Sequence, residues 1–177
     1  MVRKLWAIVI VLAAAVAAAV VIAVRVPDPG VSPALAQRQP DAAHGQYIAT
    51  LGDCAACHTK PGGKTLAGGL PLKTPLGTIY TTNITPDRDT GIGNYSFADF
   101  ARAMRLGVRP DGARLYPAMP YTAYAKLSDE DLQDLFAYLQ KNIAPVSQTP
   151  PANTVAWPLD MRWPLAFWNV AFLDTSR

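Results

Sequence analysis

Cys54-Ala55-Ala56-Cys57-His58 holds both cysteines of this sequence and one of its two histidines. The pattern C-x-x-C-H is an attachment signature for c-type haem. Two thiols three positions apart can each add to one vinyl group of a single porphyrin. The histidine that follows carries its imidazole under the ring, where it can ligate the iron. Three rival readings fare worse. A thioredoxin-like redox pair would sit in a βαβ pattern, which is absent, and would not explain the adjacent histidine. A structural zinc site needs four ligands, and beyond Cys54, Cys57 and His58 only His44 remains among cysteines and histidines. A disulfide across two residues closes too short a loop to restrict much entropy.

If a haem is attached here, the rest of the chain should supply a wrapper, a second axial ligand and an export route. The 177 residues suffice for one ordinary domain with accessories. The net charge is +3, and Arg3, Lys4 and Arg25 flank one apolar run, so the remainder is near neutral. No basic stripe points to nucleic acid. Sixteen prolines and twelve glycines imply much loop and few long elements, a composition to which a covalent cofactor would lend an apolar body to fold around.

Residues 1–25 read as an anchor. Leu5–Val24 is an unbroken run of twenty apolar residues, enough to span a hydrocarbon core of roughly 30 Å as a helix. A cleaved signal sequence is the competing reading, with Ala34-Leu35-Ala36 as its cleavage site, but the run is long and Ala36 lies well beyond it. In either case Arg3 and Lys4 would hold the N-terminus in the cytoplasm and send the rest across. Residues 26–41, with Pro27, Pro29, Gly30, Pro33 and Pro40, read as an irregular linker holding the domain off the membrane.

Residues 42–143 read as the haem domain. A first helix over 42–51, with Asp41 as N-cap, leads into the haem motif. His44 falls in its first turn and is expected to be a surface or packing residue rather than an iron ligand. Residues 59–94 form a long turn-rich loop in which only 78–82 hints at extended chain. Loops of that length usually have a ligand to organise them. Tyr80, Thr81, Asn83 and Arg88 are candidates for contacts to haem propionates. A backbone carbonyl near Pro61 or Pro71 is expected to hold the other nitrogen of His58, as ligating imidazoles require.

Ser96 and Asp99 open a second helix with a capping-box pattern, and Gly107 closes it. Met104 lies there at helical spacing with Phe97 and Phe100, so it is assigned to the core. Met119 differs. It stands in Tyr116-Pro117-Ala118-Met119-Pro120-Tyr121, where flanking prolines exclude helix and hold the chain extended. Met119, 61 residues after His58, is therefore the candidate sixth ligand. Ser128 and Asp131 open a third helix over 128–142, with acid in its first turn and an apolar stripe of Leu132, Leu135, Phe136 and Leu139. Residues 144–177 form an irregular strap rich in proline and tryptophan, with a short helix near 165–173. It is expected to pack back over the domain and bury its own aromatics, with docking to a partner or to the membrane interface as the sharper alternative.

Together, Gly45-x-Tyr47, Cys54–His58, Pro117-Ala118-Met119-Pro120 and Leu132-x-x-Leu135-Phe136-Ala137-Tyr138-Leu139 resemble a class I cytochrome c. The resemblance implies an all-α fold with long loops around one covalent haem c. It also implies that the first and last helices of the domain cross, with Gly45 allowing close approach to the Leu135–Leu139 turn. A narrower resemblance rests on Gly68-Gly69-Leu70-Pro71-Leu72, Thr78 to Asp87, Thr90-Gly91-Ile92-Gly93 and Leu115 to Tyr121. These are similar to the cytochrome subunits of membrane-bound bacterial alcohol, gluconate and aldehyde dehydrogenases and related molybdenum hydroxylases. What this implies is an electron-transfer subunit rather than an enzyme, serving a catalytic dehydrogenase subunit and a downstream acceptor. Its place would be the bacterial inner membrane, single-pass, with the haem domain in the periplasm. Those subunits carry three haem domains, whereas this sequence has one haem motif, so a single stepping stone is expected instead of a relay. Two other functions stay open at this stage: a haem enzyme or gas sensor with an open sixth position, and a scaffold subunit whose haem is structural.

Overall fold

In a computed structural model, residues 2–26 and 28–176 are described. Met1, Pro27 and Arg177, which belong to the expected anchor, linker and strap, lie outside the described residues. Helix α1, Val2–Val24, follows the apolar run. Its residues 2–21 have a mean hydropathy of 2.5, and the window is not buried by the rest of the chain. By length and composition α1 can cross a membrane.

The linker does not behave as a free spacer. After α1 the chain runs along helix α6 and is fastened to it. The Ser32 amide donates to Asp129 Oδ2 (2.7 Å) and Gln133 Nε2 donates to the Leu35 carbonyl (2.9 Å). Residues 33–37 form a 3-10 turn that buries Leu35. The prolines prevent an α-helix, but they leave backbone groups and one leucine for the acidic N-terminal half of α6 to capture. The linker is irregular and at the same time docked along α6.

Helix α2, Ala42–Leu51, starts where the Asp41 carboxylate accepts from the amides of Ala43 and His44. Gly52 ends it, and α3, Cys54–His58, follows at once. The all-α expectation needs correction in the next segment. Strands β1 (Pro71–Thr74) and β2 (Gly77–Tyr80) pair antiparallel, with Pro71 opposite Tyr80 and Thr74 opposite Gly77. Thr74 Oγ1 stabilises the tight turn, donating to the Gly77 carbonyl and accepting from Leu76.

Helix α4, Phe97–Leu106, carries the full capping box between Ser96 and Asp99, and Gly107 ends it in the left-handed region at φ 60°. Then come the single turn α5, Tyr121–Tyr124, and α6, Asp129–Lys141, capped by the Ser128 hydroxyl. Helix α7, Leu165–Phe172, closes the order.

The core forms where α2, α4 and α6 meet. Ile48 and Ala49 from α2, Phe100 and Met104 from α4, and Leu132, Leu135 and Leu139 from α6 are its centre. The α2–α6 crossing depends on Gly45. A Cβ there would run into the Asp134 carbonyl and Tyr138 Cβ, so only glycine lets the two backbones touch. The resemblance pointed to this approach; the contact falls on Asp134 and Tyr138, at and just before the expected turn.

Beside the crossing, Asp134 is fully buried. It accepts from both Arg38 Nη atoms, the Asp41 amide and His44 Nδ1 (3.0 Å). Burial alone would push its pKa up. The bonds from Arg38, Asp41 and His44 outweigh that and hold it at about 2. His44 is thus engaged in joining α2 to α6, in line with its expected packing role.

Candidate haem site

Short local constraints aim the residues of α3. Asp53 takes a left-handed conformation (φ 51°), which breaks α2 from α3. Cys54 is half-buried and packs against the core cluster, while Cys57 is exposed; both thiols are free. Burial, with smaller contributions from Asp53 and Cys57, pushes the Cys54 thiol up to about 11. A dithiol redox pair depends on a lowered pKa, so this environment argues against thioredoxin-like chemistry.

His58 is held at its back. Its Nδ1 lies 2.7 Å from the Thr82 carbonyl. A carbonyl only accepts, so Nδ1 carries the proton and Nε2 presents its lone pair outward. Burial lowers the imidazole pKa against the opposing effect of the Thr82 bond, which favours the neutral, ligating form. The expectation of a carbonyl near Pro61 or Pro71 is corrected: Thr82 serves, 24 residues along the chain. Gly68 makes that approach possible. Its amide donates to the His58 carbonyl (2.7 Å), and at φ 71° a Cβ would fall 2.5 Å from the Thr82 oxygen. The Gly68-Gly69 pair was a visible signal, although nothing in the sequence tied it to His58.

The four propionate candidates separate by surroundings. Asn83 is buried and its amide is used within the fold. Nδ2 donates to Thr90 Oγ1 and to the Val146 carbonyl, while Oδ1 accepts from Thr85. Thr81 is buried as well, and its hydroxyl accepts from the Leu70 amide. Tyr80 is half-buried and Arg88 is exposed. Gln148 extends the Asn83 network, donating through Nε2 to the Ala67 carbonyl (2.8 Å). The strap residues 146–148 thereby organise the long loop from outside.

Met119 is partly buried and packs against the same core cluster as Cys54. A turn holds it, with its amide on the Tyr116 carbonyl and the Tyr121 amide on its own. Tyr124 ties this segment to the haem motif. Its hydroxyl donates to the Gly52 carbonyl at 2.7 Å, two residues before Cys54. Burial, with the neighbouring Cys54, Cys57 and Asp53 adding to it, pushes the Tyr124 phenol up to about 12, so the donor persists across ordinary pH. The strap brackets the Met119 segment from the other side. Arg162 stacks over the Tyr116 ring at 3.9 Å and donates to the Arg114 carbonyl. Asn169 accepts from the Tyr121 hydroxyl and donates to the Leu106 carbonyl, 2.8 Å each. The strap therefore packs back over this part of the domain, but the expectation that it buries its own aromatics is corrected: Trp157, Trp163 and Phe167 stay exposed, because the strap is fastened through Arg162 and Asn169 rather than through those rings. Met104 is buried in the core, as expected, and borders the same apolar cleft.

The donor set and the cleft beside Cys54 suit a covalently bound porphyrin. Cys54 borders an apolar cleft lined also by Ile48, Leu51, Met104, Ala123, Tyr124, Leu127 and Leu135. The adjacent histidine offers a correctly protonated ring. Among the described residues, no cluster of three or more histidine, cysteine or carboxylate side chains could hold a separate metal ion.

A helical wrapper around a C-x-x-C-H turn defines a class, the covalent-haem proteins. The family model for cytochrome c matches residues 42–142. The chain belongs to the cytochrome c family. It is 56% identical over 128 residues to the gluconate 2-dehydrogenase cytochrome c subunit of Pantoea cypripedii, covering 72% of this chain and 29% of that protein. To the cytochrome c subunit of the quinone-dependent alcohol dehydrogenase of Gluconobacter oxydans it is 50% identical, over 74% of this chain and 27% of the relative. The fructose dehydrogenase cytochrome subunit of Gluconobacter japonicus is 47% identical over 79% of this chain and 29% of its own length. The chain spans under a third of each of these relatives. They are cytochrome subunits rather than substrate-oxidising ones, which agrees with the expectation that this chain is not itself an enzyme.

Proposed function

We propose that the chain is a membrane-anchored, single-haem cytochrome c that takes electrons one at a time from a periplasmic dehydrogenase and passes them toward the respiratory chain. One observation carries this reading. The Thr82-held His58 and the proline-braced Met119 belong to segments that converge on one apolar core beside Cys54. Bound haem would supply one-electron chemistry, its iron alternating between ferric and ferrous.

The residues would divide the work as follows. Cys54 and Cys57 would hold the porphyrin by thioethers, so that it could not dissociate. His58 through Nε2 and Met119 through its thioether sulfur would hold the iron, and Met/His ligation raises the potential. Both ligands are fixed by their surroundings, His58 by Thr82 and Met119 by the turn and the strap. Little rearrangement then accompanies a change of charge. The apolar lining disfavours the extra positive charge of the oxidised state, which also favours reduction. Of the propionate candidates, Tyr80 and Arg88 are the better placed, because Thr81 and Asn83 are buried and engaged within the fold. No side chain need act as acid, base or nucleophile. α1 would hold the domain at the inner membrane, on the periplasmic face, with one haem per chain.

The relatives' names indicate the class of donor, a dehydrogenase of alcohols, sugars or sugar acids. The test is rapid-mixing reduction of the chain in complex with the dehydrogenase that co-purifies with it in mild detergent, using that enzyme's substrate. Haem reduction within the enzyme's turnover time is expected. Slower reduction would make the haem a structural element of a scaffold.

A further inference from the structure

The strap has two faces, and the fold accounts for only one. On the inner side of α7, Ala166 is 1% exposed, Asn169 links Tyr121 to Leu106, and Trp168 meets the Tyr121 ring edge-on. The outer side is apolar and uncovered. Within α7, Phe167 and Val170 are three residues apart on one face, and the Trp163 ring, in the turn just before the helix, meets Phe167 edge-on. Val170 is 81% exposed, and Trp157, upstream of the helix, 78%. A soluble surface rarely gathers such groups without an occupant.

The chain itself indicates which occupant. Helix α7 contacts α1, the segment fit to cross a membrane. Among the residues of α1 whose exposure is described, Val20 alone is not exposed, which puts that contact toward the end where the chain leaves the apolar run. Eight residues of helix reach only about 12 Å, too short to span a bilayer. Tryptophan and phenylalanine on such a face are the residues favoured at the level of lipid headgroups.

We infer that the outer face of α7, with the Trp157–Trp163 turn before it, lies in the membrane interface as a second, in-plane contact beside α1. The inference rests on the proposal that α1 spans the bilayer. Its consequence is orientation. One spanning helix leaves a domain free to swivel, whereas two contacts fix which side faces the lipid. Arg162 and Tyr116 join the strap to the Met119 segment, so that segment is held on the membrane-facing side.

The test uses the full haem-loaded chain in vesicles of phosphatidylcholine and phosphatidylglycerol. Nitroxides are placed in separate variants Val170→Cys, Val11→Cys within α1, and Lys141→Cys on the exposed end of α6. Accessibility to oxygen, which concentrates in lipid, is compared with accessibility to a water-soluble nickel chelate. The ratio at residue 170 is expected to exceed that at 141 several-fold and to move toward that at 11. If residue 11 is lipid-exposed while 170 matches 141, the anchor stands and the second contact is overturned. Shielding of 170 from both reagents would also overturn it, because a second copy or a partner subunit would then cover the face. If residue 11 itself reports water, the spanning reading fails and this inference falls with it.

Discussion

His58 depends on a glycine ten residues away. Gly68 leaves room for the Thr82 carbonyl to reach Nδ1, and that bond both orients the ring and makes it a better electron donor. Replacing Gly68 by Ala puts a side chain against Thr82 at positive φ. The combined strain is expected to cost about 2–3 kcal/mol, read by denaturant unfolding of the haem-loaded protein. Because a weakened Thr82 bond makes the imidazole less basic, the oxidised iron should lose support and the reduction potential should rise. A variant with unchanged potential would show that the Thr82 bond does not tune the site. At this scale the sequence speaks most directly where chemistry names a residue outright, as the C-x-x-C-H motif does at Cys54, Cys57 and His58. It was least legible where a backbone atom does the work. Any residue offers a carbonyl, so nothing about Thr82 as a residue type marks it.

Between elements, Asp134 is the joint where the linker, α2 and α6 come together. Its pKa of about 2 lies below the ordinary carboxylate value. The folded form therefore binds its proton less readily than the unfolded chain does. The stability this contributes is complete above about pH 4 and drains away as pH falls toward 2. With screening at the partly exposed Arg38, the contribution should be on the order of 1–2 kcal/mol. Asp134→Asn should lose that pH dependence in acid unfolding curves and be less stable at pH 7. An unchanged acid limb would mean other carboxylates dominate. The helices themselves were readable, because Ser96 with Asp99, Ser128 with Asp131 and the Gly107 stop are local signals that local physics obeys. The β1–β2 hairpin was legible only as the extended hint over 78–82, which overlaps β2. Its turn is Pro75-Leu76 rather than an Asn-Gly type, and β2 has no alternation of buried and exposed residues. The docking of the linker was hidden for a related reason: proline content reports what the backbone cannot do, while the docking is decided by α6.

Over the whole molecule, three tethers converge on the Met119 segment. Tyr124 fastens it to the haem motif, Arg162 and Asn169 fasten it to the strap, and the strap leads on to α7 and α1. An open-site enzyme would have little use for a Met119 segment braced from both sides; under the proposed function the bracing would keep Met119 in place as a ligand. The most direct measurement is the visible and near-infrared spectrum of the ferric and ferrous protein, for wild type and Met119→Ala. The account predicts low-spin iron in both oxidation states of the wild type, with a sulfur-to-iron charge-transfer band in the ferric form that disappears in the variant as the potential falls. A high-spin ferric wild type, or a band that survives in Met119→Ala, would contradict it.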